Sequence, residues 1–152
     1  MSTELMDDWI RLFNEKAPIA RYFGMRLSFD DEGRAVVDLP HNPDLDHVLG
    51  GIHGGVYATM LDVAGWFNVA AARDERCWIA TSELSIHFLR PAIHTSLRAT
   101  GQLIKSGKRQ DVAEMHLYDG QDRLIGHAVG TFVILPDVSL TKAEAGQPGA
   151  RG

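Results

Sequence analysis

The stretch that decides the fold is residues 56–72, Val56-Tyr-Ala-Thr-Met-Leu-Asp62-Val-Ala-Gly-Trp66-Phe-Asn-Val-Ala-Ala-Ala72. Tyr57, Met60, Leu61, Val63, Ala64, Trp66, Phe67, Val69 and Ala70 cover nearly the whole circumference of a helix. A helix that is apolar all round is normally buried. At about 1.5 Å per residue this one spans roughly 25 Å, the width of a small sheet rather than of a bilayer. A loop over 40–55 leads into it, with glycines at 50, 51, 54 and 55.

Working outward, the flanks supply the layers such a helix needs. Leu5, Trp9, Leu12 and Phe13 form one apolar stripe and predict a helix over about 3–16, which Pro18 ends or restarts as a short turn. Residues 25–29 alternate as a strand, 30–33 turn, and 34–39 form a second strand closed by Pro40. Beyond the helix, Ser82, Leu84, Ile86 and Phe88 alternate with Thr81, Glu83, Ser85 and His87. Two further alternating strands centre on Ala99 and Met115, and a last one covers about 123–135. Pro91, Gly107 and Asp119-Gly120 mark the turns. One apolar and one polar face per strand means antiparallel pairing with one side on a core. The expectation is an α+β domain over 1–136: a six-stranded antiparallel sheet wrapped around one long central helix, with an extra N-terminal helix. Residues 137–152, small, polar and rich in Gly and Pro, are expected to be a disordered tail.

Composition narrows the function. The 152 residues are 45% hydrophobic and 23% charged, ordinary for a globule, with a formal net charge of −5. That balance argues against a nucleic-acid partner, which would call for a basic face. No apolar run approaches the roughly 20 residues of a membrane helix. The acidic start lacks the basic and apolar regions of a secretory signal, so a cytoplasmic location is expected. Cys77 is the only cysteine, which excludes an internal disulfide and a cysteine-based zinc site.

Two features carry chemistry. A glycine pair, Gly54-Gly55, opens the buried helix; free N–H groups and the positive dipole end there stabilise an oxyanion. Neither a P-loop nor a G-x-G-x-x-G is present. Asp62 lies within the apolar helix, where a lone carboxylate is costly unless it has partners or titrates. Its neighbours on that face are read as Gly55, Ala58, Thr59, Gly65 and Val69, small enough for a large group to approach. Asp62 is therefore either a functional acid or a structural one bonded to backbone.

Gly-Ile-His53-Gly54-Gly55-Val, with Asp62 seven residues after Gly55 and Gly65 following, resembles the signature of hot-dog fold acyl-CoA thioesterases of the phenylacetate-pathway type. Ile86-His-Phe-Leu-Arg90-Pro91-Ala92 resembles that family's strand ending in a Pro-Ala turn, and Lys105-Ser-Gly107-Lys108-Arg109 its basic hairpin turn. The resemblance spans about 24–135. It implies a hot-dog fold working as a homodimer or a homotetramer, and hydrolysis of acyl-CoA without metal or organic cofactor. It implies Asp62 as general base or nucleophile and the Gly55 N–H as oxyanion donor. His53 is either a site residue or a loop-packing histidine. Thr81 is either the hydroxyl that positions water or carboxylate, or a solvent-facing strand residue. Six residues before His53 the family usually has Asn or Gln; this chain has His47, which can also donate one hydrogen bond and can take a proton. Asp62 and Gly55 stand about 10 Å apart along one helix, so a dimer that brings one chain's glycine to the other's acid resolves the geometry.

The other candidates are weaker. Histidines fall at 41, 47, 53, 87, 94, 116 and 127 without an H-E-x-x-H or a close His/Asp pairing, and no metal site is expected. His87, His116 and His127 share the polar sheet face. No serine has a G-x-S-x-G setting. Arg90, Lys105, Lys108 and Arg109 form a basic group that is either turn solvation or a seat for the CoA phosphates. The rival readings are a hot-dog hydratase and a non-hydrolytic acyl-CoA binder.

Overall fold

Stripe, glycine loop and alternation resolve, in the computed structural model, into one sheet and one central helix. It describes residues 3–73, 77–136 and 138. The order is α1 (Thr3–Arg11), a π-helical turn (Leu12–Lys16), α2 (Pro18–Phe23), β1 (Arg26–Phe29), β2 (Ala35–Leu39), a 3₁₀ turn (Pro43–Leu45), α3 (Gly54–Ala72), β3 (Trp78–Phe88), β4 (Leu97–Ser106), β5 (Gln110–Asp119) and β6 (Leu124–Leu135). The expected tail, 137–152, lies outside the described residues apart from Val138.

All six strands pair antiparallel in the order β1-β2-β4-β5-β6-β3, so β1 and β3 are the edges. This is the hot-dog arrangement, with α3 on the inner face. Met60, Leu61, Ala64 and Val69 are fully buried against Ala99, Met115, Leu117 and Phe132. Close approach depends on glycine: a Cβ on Gly65 would lie 2.5 Å from Phe132 Cζ, and one on Gly101 2.5 Å from Asn68 Nδ2. Gly65 thus faces the sheet, not the open side as its spacing from Asp62 suggested. Positions 62 and 65 are three residues apart, about 60° around the helix, which is enough to separate a half-exposed residue from a buried one.

The N-terminal stripe is real but its helix changes pitch. Leu5, Trp9 and Phe13 are buried, and the last turn of the expected helix is π-helical. Asn14 fixes that turn on β1: its Nδ2 donates to Leu27 O at 3.0 Å and its Oδ1 accepts from Leu27 N at 2.8 Å. Cys77 is buried in the core. Among the described residues no helix is long and apolar enough to cross a membrane.

Candidate active site

Asp62 sits on the side of α3 turned away from the sheet, and Thr81 of β3 reaches it: Thr81 Oγ1 donates to Asp62 Oδ1 at 2.7 Å. Simple alternation places Thr81 outward with Glu83 and Ser85. A β-bulge between Thr81 and Glu83 shifts the register. Ile79 before it is buried, and Leu84 and Ile86 after it pack on the core, so the inward parity changes from odd to even. Bulges re-aim side chains in this way, often beside active sites. Burial pushes the Asp62 carboxyl above the usual carboxylate range, and the Thr81 hydrogen bond offsets part of that rise.

Asp62 lines a cavity of about 420 Å³ with Leu12, Phe13, Val63, Trp66 and Trp78. Its walls are edge-to-face aromatics: Trp9 on Trp66 at 5.4 Å, Trp66 on Trp78 at 5.5 Å, and Phe13 on Phe67 at 5.1 Å between centroids. Trp66 Nε1 donates to Ile79 O at 2.7 Å, which anchors the ring. Met60 and Tyr57 turn to the core instead. The π-helical turn, which has no sequence signature, supplies the cavity's other wall.

At the start of α3, His53 is the N-cap: its Nδ1 accepts from Gly55 N at 2.8 Å. A Cβ on Gly55 would lie 3.0 Å from that nitrogen, so glycine here admits the ring. The expected oxyanion donor is therefore held by His53 in this structure. His47 lies in the preceding hairpin loop, exposed, with Nδ1 accepting from Leu49 N at 3.2 Å. Its ring covers Gly51, where a Cβ would meet Nε2 at 2.8 Å. The nearby Asn42 is used elsewhere: its Oδ1 accepts from Asp44 N at 3.1 Å and caps the 3₁₀ turn. The structure thus joins Asp62 to Thr81 and Gly55 to His53, and leaves His47 in the loop.

The basic residues do not form one cluster within a chain. Arg90 follows β3 at its Gly126 end, where Leu89 N and Arg90 N both donate to Ile125 O. Lys105, Lys108 and Arg109 belong to the β4–β5 hairpin, whose Arg109 O accepts from Ile134 N at the opposite end of β6. An element the sequence did not disclose shapes that hairpin. Arg73, the C-cap of α3, donates from Nε and Nη2 to the two oxygens of the buried Asp111, each at 2.8 Å, and from Nη2 to Gly107 O. Gly107 N donates to Asp111 Oδ1 at 2.9 Å. Burial acts to raise the Asp111 carboxyl, but Arg73 and the Gly107 N–H outweigh it and hold the group below the usual range.

Histidines gather at two places in the fold. On the outer sheet face His116 and His127 are directly paired, as are His87 and His127, as the shared polar face predicted. His127 Nε2 lies 2.8 Å from Glu114 Oε1, and Gln102 Nε2 donates to Glu114 Oε2 at 3.0 Å. Near the loop into α3, the 3₁₀ turn folds the chain back, so that His41 Nε2 lies 3.3 Å from Asp46 Oδ2. The absence of a close His/Asp pairing expected from the sequence is thereby corrected.

The chain that opens a helix with His53-Gly54-Gly55 and hydrogen-bonds a half-buried acid on that helix to the edge strand matches a known family model over residues 49–125, about half of its length. The chain belongs to the thioesterase superfamily. Thioester hydrolysis is the chemistry of that superfamily. The medium/long-chain acyl-CoA thioesterase YigI of Escherichia coli is 24% identical over 138 residues, covering 81% of this chain and 89% of the relative. A Bacillus halodurans protein crystallised with CoA is 28% identical with a TM-score of 0.75, covering 89% of this chain and 91% of that one. The PaaI protein of the Escherichia coli phenylacetic acid degradation operon shares the fold at a TM-score of 0.77 and 22% identity, over 88% of this chain and 95% of that one.

Proposed function

We propose that this chain hydrolyses acyl-CoA thioesters to the free acid and CoA, at a site completed between two copies of the chain. The observation that carries this reading is the Thr81–Asp62 pair at the wall of the aromatic cavity. The apolar acyl group lies among Leu12, Val63, Trp66 and Trp78, which sets the thioester carbon near Asp62. The Asp62 carboxylate takes a proton from water as the water oxygen bonds to the carbonyl carbon. The tetrahedral oxyanion collapses, the C–S bond breaks, and the thiolate of CoA takes up the proton. If Asp62 is instead the nucleophile, its oxygen bonds the carbonyl carbon and water then cleaves the anhydride. Label found in Asp62 after a single turnover in ¹⁸O-water establishes the anhydride route with water attacking the Asp62 carboxyl carbon, since general-base catalysis places the label only in the acid product.

The oxyanion donor is the Gly55 N–H, reached when the carbonyl displaces the exposed His53 ring. A preorganised donor of this kind is typically worth about 3–4 kcal/mol. Since Gly55 and Asp62 of one chain stand about 10 Å apart along α3, the reading takes Gly55 from one chain and Asp62 from its partner. Supporting an interface, β3 leaves an 11-residue edge unpaired among the described residues. Val48 and Leu49 in the loop before α3 are 99% and 87% exposed. Antiparallel pairing of two β3 edges would also carry Arg90 of one chain toward the hairpin end of the other, uniting the basic residues around the CoA phosphates.

One observation favours a second reading, a non-hydrolytic acyl-CoA binder: the Gly55 N–H is already bonded to His53. An acyl-CoA panel assayed by free-thiol release, with Asp62→Ala as control, separates the two. Turnover abolished by Asp62→Ala supports hydrolysis; CoA binding with no turnover on any substrate supports the binder.

A further inference from the structure

We propose that His41, Asp46 and His94 form a binding site for one divalent transition-metal ion of the zinc type, tying the loop that enters α3 to the loop between β3 and β4. His41 and Asp46 come from the first loop and His94 from the second, and one ligand atom of each lies within 4.8 Å of the other two. This inference does not depend on the hydrolytic reading.

Three independent features point to a cation. First, His41 Nε2 and Asp46 Oδ2 stand 3.3 Å apart. That is longer than the roughly 2.7–2.9 Å of a charge-assisted hydrogen bond. It equals the ligand-to-ligand edge of a tetrahedron with metal bonds of about 2.0–2.1 Å, which is roughly 3.3 Å. Second, the Asp46 side chain is only 10% exposed, and its Oδ1 is buried without a hydrogen-bond partner. A buried carboxylate oxygen left unpaired is costly, and an ion held by both Asp46 oxygens, Oδ1 as well as the Oδ2 that faces His41, supplies the missing interaction. Third, His94 adopts φ 46°, a left-handed conformation uncommon for a residue with a side chain. In it the His94 ring meets His41 edge-on at 5.2 Å between centroids.

Two imidazoles and one carboxylate suit zinc, cobalt or nickel better than the all-oxygen preference of calcium and magnesium. The Glu114, His116 and His127 group is comparably close. There, however, both Glu114 oxygens already have partners, in His127 and Gln102, so it lacks the orphan that marks the first site and serves as a control. The ion would sit where Asp46 bridges Ile52 and Ile52 N donates to Ala92 O at 2.9 Å, clamping the hairpin that carries His47 and His53.

The test uses the full chain stripped with chelator and titrated with zinc chloride by calorimetry, and with cobalt chloride by visible absorption. One equivalent per chain is expected, with cobalt d–d bands from a nitrogen-oxygen site. His94→Ala and Asp46→Asn should each weaken binding about tenfold or more, while His127→Ala leaves it unchanged. His94 is exposed, so His94→Ala decides the matter even if Asp46→Asn fails to fold. No stoichiometric uptake, uptake unchanged in His94→Ala, or uptake lost in His127→Ala would each overturn the proposal.

Discussion

Thr81 Oγ1 donates to Asp62 Oδ1 at 2.7 Å, linking the edge strand of the sheet to the exposed side of the central helix. Burial raises the Asp62 carboxyl and this bond lowers it, so the two act against each other on the group that the proposed reaction needs ionised. The acid limb of kcat/KM should lie above the ordinary carboxylate range. In Thr81→Val, which removes the lowering influence, that limb should move to higher pH. The plateau should fall by about tenfold, the worth of one hydrogen bond to a charged group. A limb that stays in place while the plateau drops would assign Thr81 to packing alone.

Asp62→Asn should separate stability from activity. Because its folded carboxyl titrates above the unfolded value, the ionised form costs folding free energy once the pH exceeds that unfolded value. The asparagine variant should therefore melt at a higher temperature than the wild type at neutral pH, with the gain vanishing in acid. Its kcat should fall by about 10²–10⁴, the range for a lost general base. A variant that is inactive and also less stable at neutral pH would contradict the burial account.

What the sequence disclosed and what it hid follow from periodicity. Residues 56–72 and the strand alternations are local patterns, and the fold follows from them because each period assigns a buried face. Alternation leaves Thr81 ambiguous because a bulge between Thr81 and Glu83, which no local residue pattern marks, shifts the count. Helical spacing groups Gly65 with Asp62, whereas the fold turns it to the sheet, because spacing ranks neighbours without saying which side meets the core. Arg73 and Asp111, 38 residues apart, join only through the fold. His53 as N-cap was not legible either, since histidine is not among the residues that favour that position.

His53 and Gly55 share one hydrogen bond, and substitution can tell their roles apart. His53→Ala loses the helix cap, which should cost about 0.5–2 kcal/mol in unfolding free energy. If the substrate carbonyl displaces the ring, kcat/KM should fall by less than about tenfold. Gly55→Ala places a Cβ 3.0 Å from His53 Nδ1 and crowds the N–H; kcat should fall by about 10²–10³. The reverse order of effects would move the carbonyl donor from the Gly55 backbone to the imidazole.

The Arg73–Asp111 pair should matter to stability far more than surface pairs do. Asp111 is fully buried, so Arg73→Met leaves a carboxylate without its cation, at a cost of about 3–5 kcal/mol measured by denaturant unfolding. Because Asp111 titrates below its unfolded value, its contribution is present above the usual carboxylate range and is lost as pH falls through the depressed folded value. The gap between wild type and variant should therefore narrow in acid. A gap independent of pH would show that packing of the arginine stem dominates.

The same pair holds Gly107 from both sides, and the residues on either side of Gly107 include the basic ones offered to the CoA phosphates. Lys108→Ala combined with Arg109→Ala should raise KM for acyl-CoA by about tenfold, in line with a lost charge-assisted contact. It should leave KM for the matching acyl-pantetheine thioester unchanged, because that substrate lacks the nucleotide phosphates. Unfolding free energy should stay within about 0.5 kcal/mol of the wild type, as for surface positions generally. An equal rise in KM for both substrates would place the effect in hairpin geometry, and no rise for either would leave these side chains as turn solvation.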